Sequence, residues 1–194
     1  MKALWGIVWG MGILMFAPIF PPVIGGPATQ CYNLCQVLLQ RGFRPVVLTP
    51  HERFSRTKER GVVVYRYPWK YTGTILDRVV RWVVFPFYFT YVVLRERPRI
   101  LHAHSVSASS FVAGVLAKLY GMPSIIKFAG DWVWETLSTK GIQGDDFTEV
   151  YEKSWKGRML KAVERYGVSL YTRIWVPSNF RRENVRSLMG TDAR

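Results

Sequence analysis

Short apolar runs recur along this 194-residue chain, most of them bounded by proline or glycine and alternating with stretches of helical rhythm. That alternation constrains the fold more than any other feature. Gly12–Ala17, Val46–Thr49, Val62–Tyr65, Ile100–Ala103, Ser124–Phe128 and Ile174–Val176 are short and apolar, as buried strands are. Ala28, Cys31, Cys35 and Leu38 keep the three- and four-residue spacing of one helix face, and Gly42 stands where a C-capping glycine belongs. Further helices are predicted over 75–94 with Pro86 inside, over 111–120, over about 150–166, and after Ser178, which is placed to N-cap. His51–Arg60 is polar and basic and reads as a surface loop, and a polar loop runs on from the fifth strand to about Phe147. Alternation of this kind implies an α/β, Rossmann-like fold: a parallel sheet with helices on both faces. Ligands of such folds sit at the C-terminal ends of the strands, so chemistry is sought in the loops that come after them.

Charge narrows the partners. The 27 Lys+Arg against 13 Asp+Glu leave a formal +14, which attracts polyanions or simply marks a basic solvated face. The basic residues are spread along the chain, without a basic arm, zinc-finger spacing or RNP-type aromatic strand. No nucleic-acid partner is therefore expected, and an anionic membrane surface or a phosphorylated ligand ranks ahead. Cys31 and Cys35 read as two buried small apolar residues rather than a metal pair or disulfide, and such sparse cysteine fits the cytosol. Lys2 and the apolar run Ala3–Phe16 resemble a short signal peptide, too short for an ordinary membrane span. Because the first strand is complete without them, residues 1–10 are read as an extension and 11–194 as the domain.

Four post-strand loops could carry chemistry. In Pro21–Pro27, Gly25 and Gly26 allow close backbone approach and the next helix offers N–H groups to a phosphate; a tight turn is the alternative. Neither a Walker A loop nor the G-x-G-x-x-G of a dehydrogenase is present. His102 and His104 share one strand face, either as a metal pair or as a structural His102 beside a ligand-facing His104, the reading preferred here. Lys127-Phe128-Ala129-Gly130-Asp131 with Trp134-Glu135 offers Asp131 as a base and Lys127 as a phosphate partner, with Trp134 as a flat sugar platform; a local ion pair with core tryptophans is the alternative. Ser178, Arg181 and Arg182 form either an anion site at a helix N-terminus or a plain cap with solvated arginines.

In order and spacing, these segments resemble the N-terminal domain of glycosyltransferase family 4. The likeness rests on Phe20-Pro21-Pro22 with Gly25-Gly26, the helix to Arg41-Gly42, Val46–Pro50, Pro98–Ser105 and Ile174–Ser178, and Lys127, Gly130, Asp131, Trp134 and Glu135 resemble a Lys-x-x-Gly-Asp-x-x-Trp-Glu subgroup. The resemblance implies the N-terminal, acceptor-side half of a GT-B glycosyltransferase. It places Asp131 and Lys127 in the catalytic cleft, and Gly25 and Gly26 against the donor phosphates or the acceptor. His104, Trp134, Glu135, Ser178, Arg181 and Arg182 are the other substrate-binding candidates. It further implies a nucleotide-sugar cosubstrate with no metal or other cofactor, retention of configuration, and a lipid-linked or polysaccharide acceptor at the cytoplasmic face of the membrane. The apolar 82–94 segment suits that location, although a buried core helix is the preferred reading of it. Many members carry His-Gly where this chain has Ala129-Gly130, so no role passes to that histidine. Members continue into a second, donor-binding domain after the Ser178 helix, whereas this sequence stops at Arg194. The expectation is a fragment or split half that catalyses nothing alone; the competing reading is a non-catalytic basic module docking on a membrane or partner protein.

Overall fold

A computed structural model describes residues 10–69, 75–130, 133 and 155–189. The strands are β1 (Gly12–Phe16), β2 (Arg44–His51), β3 (Ser55–Glu59), β4 (Val62–Pro68), β5 (Ile100–Ala103), β6 (Ser124–Lys127) and β7 (Arg173–Trp175). The helices are α1 (Gly26–Gln40), α2 (Ile75–Glu96), α3 (Ala108–Leu119), α4 (Trp155–Ser169) and α5 (Asn179–Met189). The strands form one sheet in the order β3-β4-β2-β1-β5-β6-β7, parallel except for β3, which runs antiparallel to β4. Order reverses around β1, with β2 on one side and β5 on the other. In a doubly wound sheet that reversal opens a crevice at the C-terminal strand ends.

Strand alternation divides the core in two. Leu14 and Phe16, Val46 and Leu48, Tyr65 and Tyr67, Leu101 and Ala103 point to the face covered by α2, α3 and α4, where Phe85, Phe89, Phe111 and Val168 join them. Ile13, Met15, Val47, Val62 and Val64 point to the other face, against α1. Cys31 and Cys35 are free thiols buried in that second core, which agrees with their reading as small apolar residues.

Among the described strands and helices, β3 is the one that the sequence reading missed, in the predicted loop His51–Arg60. It lies at the sheet edge, and all of its residues are polar or charged. Its partner strand is reached by a two-residue turn in which Arg60 (φ 46°) and Gly61 (φ 89°) are both left-handed, the turn whose twist matches a hairpin. Charged edge strands deter pairing with other chains, so hydrophobic alternation is not needed there. Arg56 of β3 donates to the Tyr65 hydroxyl (2.8 Å) and to Glu96 (3.2 Å), and Arg44 of β2 donates to the same carboxylate (3.0 Å). Burial pushes the Glu96 carboxyl up, but hydrogen bonds from Tyr65 and Arg56 and the two guanidinium charges outweigh it and hold it below the usual value. One carboxylate at the end of α2 thus ties down three strands.

Candidate functional site

A cleft of about 470 Å³ opens where β1, β5 and β6 end. Each strand contributes through the residues at or just beyond its end. Pro18 and Ile19 come after β1, His104 to Ser107 after β5, and Lys127 ends β6 just before Ala129 and Gly130. Gly26, Pro27 and Gln30 of α1 complete the lining. The volume falls within the range of small-ligand pockets, roughly 300–1,000 Å³.

Two helices begin at this cleft. α1 starts at Gly26 with proline in its first turn and no side-chain cap. The start of α3 is capped by Ser107, which accepts from the Ser110 N–H (3.1 Å), while the Ser110 hydroxyl donates to the Ser105 carbonyl (2.6 Å). A helix N-terminus carries about half a positive charge, so both helices favour an anion in the same space.

Lys127 supplies the full charge. Parity along β6 turns it to the α1 side of the sheet, where its ammonium donates to Gln30 Oε1 and lies 3.4 Å from His104 Nε2. Its register partner on β7 is Trp175, whose ring centroid is 5.2 Å from Lys127 Nζ. Burial pushes the ammonium below the ordinary lysine value, and the lysine side chain is only 3% exposed. Among the described lining residues there is no carboxylate to neutralise it.

The histidines are held neutral by this setting. Burial first, then the Lys127 charge, push His102 down to about 4; burial, Lys127 and His102 together push His104 down to about 3. Their rings meet edge to face at 5.6 Å, and neither Nδ1 has a hydrogen-bond partner. His104 lines the cleft, whereas His102 is outside its lining. Among the described residues, no group of three or more His, Cys, Asp or Glu is placed to hold a metal ion.

Gly26, His104 and Lys127 are brought to this cleft. Gly25 sits one step outside its lining, at the N-cap of α1, where an added Cβ would stand 2.9 Å from Ile19 Cδ1. Ser178 accepts from the Arg181 N–H (3.3 Å), as an N-cap should, but Ser178, Arg181 and Arg182 lie outside the lining. Asp131, Trp134 and Glu135 lie outside the described residues, as do residues 1–9 of the expected extension. Three contributors escaped the sequence reading: Gln30, the start of α3, and Trp175. Only strand register could reveal Trp175 beside Lys127, because 48 positions separate them in the chain.

Comparison with known proteins settles the family. Residues 25–194, most of the chain, match the glycosyl transferase 4-like domain. The chain belongs to that family. Over 117 residues this glycosyl transferase 4-like chain is 29% identical to one subunit of human phosphatidylinositol N-acetylglucosaminyltransferase, a stretch that is 58% of this chain and 24% of that protein. The fold is that of GT-B glycosyltransferases. Apo UGT2 of Phytolacca americana superposes with a TM-score of 0.59 at 9% identity, over 92% of this chain and 49% of the other. A UDP-glucosyltransferase from Polygonum tinctorium superposes at 0.57 and 10% identity, over 87% and 47%. The chain thus spans about a quarter of the curated relative and about half of these structures. Among the described residues, no helix is long and apolar enough to cross a membrane.

Proposed function

We propose that this chain is the acceptor-side half of a retaining, sugar-nucleotide-dependent glycosyltransferase that acts on a lipid-linked or polysaccharide acceptor at the cytoplasmic face of a membrane. A donor-binding domain, in cis or in trans, completes the site, and the half is inactive without it. The observation that carries this reading is the convergence of two helix N-termini and the buried Lys127 ammonium on one cleft without a described carboxylate. That electrostatic setting suits the charge that collects on a departing nucleoside diphosphate. In the transfer, the bond from the anomeric carbon to the phosphate oxygen breaks and one from the acceptor hydroxyl oxygen forms. The hydroxyl proton passes to a base, the role proposed for Asp131 within the Lys-x-x-Gly-Asp-x-x-Trp-Glu pattern. Gln30 and His104 act as positioning residues for Lys127: Gln30 takes one of its hydrogen bonds, and a neutral His104 adds no competing charge.

Calorimetry of the 194-residue chain against a panel of nucleotide sugars tests the division of labour. Weak or undetectable binding by this half is expected, because most donor contacts are assigned to the other domain. Tight binding of a nucleotide sugar by this chain alone would overturn the proposal and the site roles that rest on it.

A further inference from the structure

The outward face of α4 has the polarity of a core. Trp155, Met159, Val163 and Tyr166 succeed one another at spacings of four, four and three, which stacks them along one side of the helix. All four are between 44% and 66% exposed. At 3.6 residues per turn, Lys156 borders this stripe on one side and Arg158 and Arg165 on the other, all three exposed. The opposite side, with Gly157, Glu164, Gly167 and Val168, is the buried one. An ordinary surface helix turns its charges to water and its apolar stripe to the core. Here an apolar stripe between two basic borders faces outward.

The seating of α4 prevents it from rolling the stripe inward. The Phe111 ring occupies the place of a side chain at Gly167, where a Cβ would come within 2.1 Å of it. Tyr171, just past the helix, lies 2.9 Å from a Cβ position at Gly114, and its hydroxyl donates to the Ser110 carbonyl (2.5 Å). These contacts fix the end of α4 on the first turns of α3. The cap of α3, Ser107, lines the cleft, so α4 is seated on a helix that begins at the cleft.

We infer that the α4 stripe docks on an anionic phospholipid bilayer. The apolar side chains enter the boundary between headgroups and acyl chains, and the flanking cations meet the phosphates, the arrangement of an interfacial helix. Trp155 and Tyr166, apolar with one polar atom each, are the residue types that settle at that depth. The formal charge of +14 adds long-range attraction to the same surface. Docking through α4 holds the domain on the plane that carries a membrane-held acceptor. The inference rests on the membrane location proposed above and assigns it to α4 rather than to the 82–94 segment.

Co-sedimentation of the full chain with vesicles of phosphatidylcholine alone, or with a third of phosphatidylserine, tests it at low and high salt. The wild-type chain should bind the anionic vesicles, release in high salt, and bind neutral ones weakly. Met159→Glu/Val163→Glu should lower anionic partitioning about tenfold or more while leaving the circular dichroism and thermal unfolding unchanged. Lys156→Gln/Arg165→Gln, which leaves the stripe intact, should weaken binding at low salt and reduce its salt dependence. Phe87→Glu on α2 should leave binding unchanged. If the wild type binds but the stripe variant binds equally well, or Phe87→Glu abolishes binding, the assignment to α4 falls while the membrane location stands. Absence of any anionic vesicle binding by the wild type would remove both. Loss of self-association in sedimentation velocity, with vesicle binding intact, would make a second copy the occupant and overturn the inference.

Discussion

Acidifying the protein from pH 7 to pH 5 should destabilise it through two histidines that the fold keeps neutral. His102 is 9% exposed and His104 3%, and burial with the nearby Lys127 ammonium pushes them down to about 4 and about 3. In the unfolded chain both titrate near 6.5. Between 6.5 and the folded values the unfolded chain binds protons that the folded chain refuses, so stability falls as pH falls through that window. Above pH 6.5 the effect vanishes. Well below 6.5 each group contributes about 1.4 kcal/mol per pH unit. Integrated from pH 7 to pH 5, that is about 2 kcal/mol per histidine and about 4 kcal/mol for the pair. A domain with a total stability of roughly 5–15 kcal/mol feels such a loss. Glu59 and Glu96, both held below the ordinary carboxylate value, act elsewhere: their stabilisation is present above about pH 4.5 and is lost only below it. Urea unfolding at pH 7, 6 and 5 reads the effect directly. His102→Gln and His104→Gln should each remove about half of the pH dependence, whatever they do to the baseline at pH 7. A wild-type midpoint that is flat between pH 7 and pH 5, or an undiminished slope in the double variant, would refute the reasoning.

Other outcomes rest on single contacts. Lys127→Met in the complete enzyme should lower kcat by about a hundredfold or more with little change in folding, since it removes the one cation among the described cleft residues; steady-state sugar-transfer assays measure it. Gly167→Ala should lower Tm by several degrees, because the Cβ meets Phe111 at 2.1–2.5 Å and overpacking of about 1–3 kcal/mol exceeds the helix-propensity gain of about 1 kcal/mol; differential scanning calorimetry reads the sum. Gly26→Ala, with open space around its Cβ position, should leave Tm nearly unchanged in the same experiment. Glu96→Gln should cost about 2 kcal/mol in urea unfolding, since Arg44, Arg56 and Tyr65 all lose a charged acceptor and both arginines stay partly solvated.

Legibility differed between elements for physical reasons. Five parallel strands were readable because strands buried on both faces need continuous apolar residues, as in Val46-Val47-Leu48. The edge strand β7, with only Ile174 buried, was readable from its short apolar run closed by Pro177. β3 was not, because this edge strand is held by backbone pairing and by Arg56 rather than by alternation. Within the site, Lys127, His104 and Gly26 stood out as chemical residues placed after strands or at their ends. Gln30 did not, since a polar residue one position before Cys31 on an amphipathic helix looks solvated until β6 places Lys127 against it.

The sequence by itself determined the strand–helix alternation, the strand ends as the place to look for a cleft, the buried state of Cys31 and Cys35, and the likeness to family 4 glycosyltransferases. All of these depend on local pattern, which spacing along the chain records. Only the tertiary structure decided the order in which the strands pair, and with it that β6 carries Lys127 beside Trp175 and under His104. It also decided that α1 and α3 begin at one cleft, and that α4 turns its apolar stripe outward because Phe111 and Tyr171 occupy the space at Gly167 and Gly114. Those facts depend on contacts between residues far apart in the chain, and no local pattern encodes which distant partner a side chain will meet.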